Sequence, residues 1–172
     1  MTGLDLSTDA LVEIAVLVTD SDLNLIGTGV DFVIRCDNSK LESMSEVVKK
    51  MHTDSGLLPL IPNGISISEA ETKIIEYLTQ CGVTEGRSPL AGNSVNFDRG
   101  FIDRDMPALS KTLHYRTIDV SSIKELARRW YPKVYFKAPA KTGNHRALGD
   151  IQDSIAELAH YRANLFAVTP EN

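Results

Sequence analysis

The stretch Pro89-Leu90-Ala91-Gly92-Asn93-Ser94-Val95-Asn96-Phe97-Asp98 decides the class of the fold. Residues 89–92 read as a short strand ending at a glycine. Small polar residues follow, and residues 96–106 read as a helix that stops before Pro107, because the position ahead of a proline is steered away from helix. A strand turning straight into a helix is the repeating unit of an α/β protein. Ligands in such folds bind beyond the carboxyl ends of the strands, so residues 92–98 form a candidate site. Asp98 suits a hard cation such as Mg²⁺, which favours carboxylate oxygen. A helix dipole also favours an Asp in its first turn, so this stretch leaves both roles open.

Working outward, the same alternation continues in both directions. Residues 1–8 are turn-like. Residues 11–19 are rich in Val, Ile and Leu and short enough for a buried strand. Asp20-Ser21-Asp22 is turn chemistry, and residues 25–35, interrupted by Gly27 and Gly29, read as the second arm of a hairpin. Apolar residues at 41, 44, 47, 48 and 51 predict a helix. Ser68-Glu69-Ala70-Glu71 has the capping-box pattern. Ile74, Ile75 and Leu78 continue that helix and Gly82 stops it. Downstream, residues 116–120 read as a strand, Ser122-Ile123-Lys124-Glu125 as a second capping box, and Pro132 as a stop. Residues 146–165 are the longest predicted helix, with Leu148, Ile151, Ile155, Leu158 and Leu165 on one side. The order predicts an α/β domain with a mixed sheet and one antiparallel hairpin. It spans residues 1–172, with Thr169-Pro170-Glu171-Asn172 as a frayed tail.

Composition narrows the function. The 172 residues are 42% hydrophobic and 24% charged, with a net charge of −5. That is globular composition, and the length is that of one domain. An acidic chain is a poor binder of long nucleic acid, which rests on many Lys and Arg contacts to phosphate. The charge is uneven: residues 122–146 carry a local +6 on a body of −11. A basic segment on an acidic body suits a small anionic ligand, and equally a solvated helix face. The most apolar run, residues 11–18, is interrupted by Glu13 and is far shorter than the roughly 20 residues of a membrane span. The first residues lack the basic and apolar regions of a signal peptide. Cys36 and Cys81 are too few for a disulfide framework and read as reduced thiols. A cytoplasmic protein without membrane contact is expected.

No phosphate-binding P-loop, Gly-x-Ser-x-Gly elbow, His-Glu-x-x-His or Cys-x-x-Cys is present. Carboxylates and a histidine remain. In Asn144-His145-Arg146-Ala147-Leu148-Gly149-Asp150, a histidine beside a metal-bound carboxylate would be a general base on water, because imidazole titrates near neutral pH. A surface His beside an ordinary helix-start Asp would look the same. In the run from His114 to Ser122, Tyr115, Arg116 and Ser121 cluster where a strand meets a capped helix. Hydroxyls and an Arg at a helix start make a phosphate site, and capping explains part of the pattern as well.

Taken together these segments resemble the DEDDh family of 3′-to-5′ exonucleases, in its oligoribonuclease branch. Gly-Asn-Ser-x-x-x-Asp stands at 92–98. His114-Tyr115-Arg116, Asp119-Val120-Ser121, Lys124-Glu125-Leu126, Arg128-Arg129-Trp130 and His145-x-Ala-x-x-Asp150 match that branch. So do Met1-Thr2-Gly3-Leu4-Asp5 and His52-Thr53-x-Ser55-Gly56-Leu57. The resemblance implies an RNase H-like fold, a mixed five-stranded sheet flanked by helices. It implies hydrolysis of very short oligoribonucleotides, dinucleotides included, to mononucleotides. It also implies two divalent ions, Mg²⁺ or Mn²⁺, about 4 Å apart. Asp98 and Asp150 would be metal ligands and His145 the general base, with Tyr115 placed at the active site across a homodimer interface. Leu4 would wedge against the bases, His52 would bind substrate, and Ser94, Arg116 and Ser121 would cap the 5′ phosphate. Val47 stands where many relatives carry a stacking Trp. The family's first motif, Asp-x-Glu, directly precedes its Met-Thr-Gly-Leu-Asp, whereas Met1 is the first residue here. The resemblance therefore implies a chain lacking that first strand and two of four acidic ligands, with its start set at an internal methionine. Asp5, Asp9 and Glu13 lie downstream of those slots. Two alternatives follow: a catalytically impaired nucleotide-binding form, and a tRNA-trimming or proofreading exonuclease.

Overall fold

The computed structural model describes residues 1–141, 143 and 145–166. The tail expected to fray, residues 169–172, lies outside them, as does Asn144. Strand β1 (Glu13–Thr19) and β2 (Leu25–Val33) pair antiparallel, with Ile14 opposite Phe32 and Thr19 opposite Leu25. The Asp20 carboxylate closes their turn by accepting from the Asp22 and Asn24 backbone N–H groups at 2.8 and 2.9 Å. The register slips between Val16 and Val18. There Gly29, at φ +82°, lies so close to Leu17 that a β-carbon would meet its Cδ2 at 2.4 Å.

The single helix predicted over 41–51 is two helices, α1 (Asn38–Glu42) and α2 (Glu46–Asp54). The apolar spacing runs through the break, but Ser45 adopts an extended backbone and its hydroxyl accepts from Val48 N–H. A serine that caps a new helix competes with continuing the old one. A 3-10 turn over Leu58–Asn63 carries Pro59 and Pro62. Helix α3 (Ile67–Gln80) starts two residues earlier than its predicted box, because Ser66 rather than Ser68 caps the Glu69 N–H at 3.2 Å.

Strand β3 (Pro89–Gly92) pairs parallel with β4 (His114–Asp119). Helices α4 (Val95–Asp105) and α5 (Pro107–Thr112) make the crossover, with Pro107 tolerated in the first turn of α5. Helix α6 (Val120–Trp130) follows β4 directly and is capped by Asp119, which accepts from Ser121 N–H at 2.8 Å. The predicted box at 122–125 is not the cap. Helices α7 (Pro132–Tyr135) and α8 (Ala147–Leu165) complete the chain.

The mixed α/β class, the hairpin and the helix-strand alternation stand. The strands form two two-stranded sheets among the described residues, rather than one ladder of five. Helix α8 packs on both β1 and β3 and joins the pairs through side chains. One core gathers Leu11, Ile14, Ile34, Ile74, Phe101 and Met106 between the hairpin, α3 and α4. Another sets Val120 and Ala127 of α6 against Tyr161 of α8. Both cysteines are free thiols. Among the described residues no helix is long and apolar enough to cross a membrane.

Candidate active site

The parallel pair β3–β4 ends at Gly92 and Asp119, which stand opposite each other. Each strand therefore delivers its following residues to the same edge. From β3 come Asn93 and Ser94; from β4 comes Ser121 in the first turn of α6. Ser94 takes a left-handed conformation, φ 54° and ψ 37°, uncommon for a residue with a side chain. Two acceptors hold it there. Its N–H is shared between Asp119 Oδ1 and Ser121 Oγ, both at 3.0 Å. The two serine hydroxyls lie 3.2 Å apart. Asp98 follows one turn later on α4 and is partly buried. Burial pushes its carboxyl pKa above the usual range, and the negative Asp119 adds to that. Its own backbone N–H and the Met1 ammonium pull it back.

Asp150 occupies the first turn of α8. Its pKa is also raised, first by packing around the carboxyl and then by Asp153 and Glu13, against the cationic pull of His145 and Lys141. His145 is exposed, at φ 52°, one residue ahead of the α8 cap. Neither Asp98 nor Asp150 makes an ion pair among the described residues, and no three His, Cys, Asp or Glu side chains there are grouped to hold a metal.

The predicted substrate residues fall in different settings. Leu4 is exposed on a loop closed by Asp9. That carboxylate accepts from the Thr2 hydroxyl and from Asp5 N–H, both at 2.9 Å. His52 is 3% exposed and lies beneath the same segment. Its Nε2–H donates to the Met1 carbonyl at 2.8 Å, so Nδ1 is a lone pair, and it has no partner. Burial lowers its pKa, keeping it neutral. Tyr115 is 74% exposed on β4, stacked on His114, with the Arg116 guanidinium 5.2 Å from its ring.

Three further residues organise the site. Glu13, buried in β1, accepts from Arg146 Nε at 2.6 Å and from Ala147 N–H at 2.9 Å. It thereby ties the start of α8, and so Asp150, to the hairpin. The signal was present: a carboxylate inside an apolar run. Asn93 bridges to Ser154 and to the buried Glu157 on α8. Asn93 stands in the Gly-Asn-Ser motif at 92–94, where no role was assigned to it, and Glu157 had no signal in the sequence.

The sequence profile of the RNase T exonuclease family matches residues 1–158. The oligoribonuclease of Streptomyces avermitilis is 56% identical over 170 residues, 99% of this chain and 85% of its own length. That of Leifsonia xyli is 52% identical over 170 residues, covering 99% and 82%. That of Mycobacterium leprae is 53% identical over 171 residues, covering 99% and 80%.

Proposed function

The chain belongs to the RNase T family of exonucleases, and from that premise we propose that it degrades very short oligoribonucleotides, dinucleotides above all, to mononucleotides. Like the oligoribonucleases it matches, it is a 3′-to-5′ exoribonuclease. The observation that carries the finer reading is the placement of Ser94 and Ser121. Their hydroxyls sit 3.2 Å apart at the carboxyl ends of the parallel strands, one helical turn ahead of Asp98. The Ser94 hydroxyl, at the start of α4, can donate to a terminal phosphate, with Ser121 at the start of α6 orienting it, and the helix dipoles favour the phosphate's charge. Arg116 adds a cation on the neighbouring strand. A closed 5′ end limits the substrate's length, which agrees with an acidic chain that carries its basic residues in one segment.

The donor chemistry fits a divalent cation. Asp98 and Asp150 are carboxylates whose pKa values burial raises, so a bound cation would favour their charged forms. Mg²⁺ is commonly held by one or two carboxylates together with a substrate phosphate. Mg²⁺ or Mn²⁺ ions, two of them in the complete site that the resemblance implies, would neutralise the phosphate and acidify a water when bound. Asp98 and Asp150 would hold them. His145, exposed beside Asp150, takes the water's proton as its oxygen bonds to phosphorus. The P–O3′ bond would then break, its electron pair staying on O3′, which takes a proton from solvent, and a 5′-mononucleotide would leave. Leu4 limits the depth of the bases, and His52 holds the Leu4 segment from beneath through the Met1 carbonyl.

A homodimer belongs to the same proposal. Leu126, Trp130, Tyr131 and Phe136 leave an apolar strip exposed along α6 and the turn after it, and such strips mark protein interfaces. The exposure of Tyr115 suits a side chain offered to a second copy. The chain is proposed to act as one exonuclease domain in the cytoplasm, where its thiols stay reduced. A length series tests the assignment. With Mn²⁺ and RNA of two to ten nucleotides, dinucleotide should be cleaved fastest. Equal rates along the series, or preference for long 3′ overhangs, would replace this function with end-trimming.

A further inference from the structure

Glu157 is a carboxylate whose side chain is only 4% exposed, on the helix that carries Asp150, and the chemistry above does not use it. It is held ionised. Lys124 of α6 lies 3.1 Å from Oε1, and Lys141, in the segment before His145, lies 3.8 Å from Oε2. The Tyr161 hydroxyl donates to Oε1 at 3.3 Å. Burial, and then the charge of Glu157, push the Tyr161 pKa up to about 12. The remaining contact is the informative one: Asn93 Nδ2 donates to Oε2 at 3.1 Å.

Hydrogen-bond polarity then follows without freedom. An ionised carboxylate only accepts. The Ser154 hydroxyl spends its hydrogen on the Asp150 carbonyl at 2.8 Å, so it can only accept from Asn93, at 2.9 Å. Both partners on α8 therefore demand the NH₂ side of the Asn93 amide. The amide oxygen must face the other way, and it receives the Ser121 hydroxyl hydrogen at 3.1 Å. With that hydrogen committed, Ser121 Oγ is an acceptor toward Ser94. The Ser94 hydroxyl hydrogen is then the one left to turn to an incoming phosphate oxygen.

We propose that Glu157 is a positioning residue for substrate recognition: through Asn93 it fixes the direction of the Ser121 and Ser94 hydroxyls and so sets selectivity for a 5′-phosphorylated end. This rests on the proposed role of the two serines as holders of the 5′ phosphate. The same carboxylate ties three segments to α8: the Asn93–Ser94 loop, the basic helix α6 and the stretch before His145. Phosphate recognition and the Asp150 helix thus share one anchor. Replacing Glu157 by Gln keeps the shape but supplies a donor as well as an acceptor. Only Ser154 then still demands the NH₂ side of Asn93, so the amide is held less firmly and the polarity of the serine hydroxyls is weakened.

The test is calorimetric binding of a 5′-phosphorylated and a 5′-hydroxyl dinucleotide, with EDTA present so that no turnover intrudes. The wild-type chain should favour the phosphorylated ligand. In Glu157→Gln that preference should fall about tenfold, the worth of one well-aligned charge-assisted hydrogen bond. Affinity for the 5′-hydroxyl ligand should stay within about twofold. Asn93→Ala, at a partly exposed loop position, should show the same fall and decides the matter if the Glu157 variant does not fold. The double variant should lose no more than either single one, because both act on one chain of bonds. Equal weakening of both ligands, or an unchanged preference in both variants, assigns Glu157 to stability alone and overturns the proposal. A wild-type chain with no preference for the 5′ phosphate instead overturns the role given to the serines, and the proposal with it.

Discussion

Phe101 and Asn93 stand eight residues apart in the chain and are held by different physics. Phe101 is fully buried in the cluster it shares with Leu11, Ile14, Ile74 and Met106. That contact is non-directional, and its strength scales with the area removed from water. Asn93 touches Ser121, Ser154 and Glu157, and each contact depends on which atom donates. The apolar half makes the molecule stable. The polar half is the part proposed to set what the molecule recognises, because a half-satisfied network in a low-dielectric setting is costly and so adopts one arrangement.

Changes that separate the halves sharpen this contrast. Phe101→Ala should cost the most stability, about 3–5 kcal/mol from lost burial and a residual cavity. Denaturant unfolding measures it, and the surviving folded fraction should keep its preference between phosphorylated and unphosphorylated ends. Glu13→Gln should cost less, about 1–3 kcal/mol, since one buried charge-assisted partner of Arg146 and Ala147 is weakened. It should also loosen Asp150, so weaker metal affinity should accompany the lower midpoint. Ser66→Ala removes the cap on the Glu69 N–H. It should cost about 1 kcal/mol, with no change in activity per folded molecule.

The two halves also differ in how far they could be read in advance. The hairpin was legible because Val, Ile and Leu crowd residues 11–19 and 25–35, and α3 because Ile74, Ile75 and Leu78 continue one apolar face after a capping-box pattern. Periodicity failed at 43–45, where apolar spacing continues through a break that Ser45 caps. The capping-box pattern failed at α6, where the strand's last residue, Asp119, does the capping in place of Ser122. In the proposed site, Asp98, His145 and Asp150 were singled out by short motifs. His52 was named, but its burial under the Met1 carbonyl was not, since a motif gives no depth. The link from Asn93 to Glu157 spans 64 positions. A hydrogen bond between distant residues leaves no period and no local composition, so nothing in the sequence announces it.

The central claim is that Asp98 and Asp150 jointly hold a divalent cation with a short RNA. Titrating Mn²⁺ into the chain with a dinucleotide phosphorothioate present tests it most directly, followed by the paramagnetic signal of the free ion. The account predicts saturable binding that either Asp98→Asn or Asp150→Asn weakens beyond the roughly 10–100-fold typical of losses outside the coordinating groups. Because both carboxyl pKa values are raised, protons compete early, and affinity should fall as pH drops toward the ordinary carboxylate range. Mn²⁺ binding of equal strength in both variants and the wild-type chain would contradict the claim.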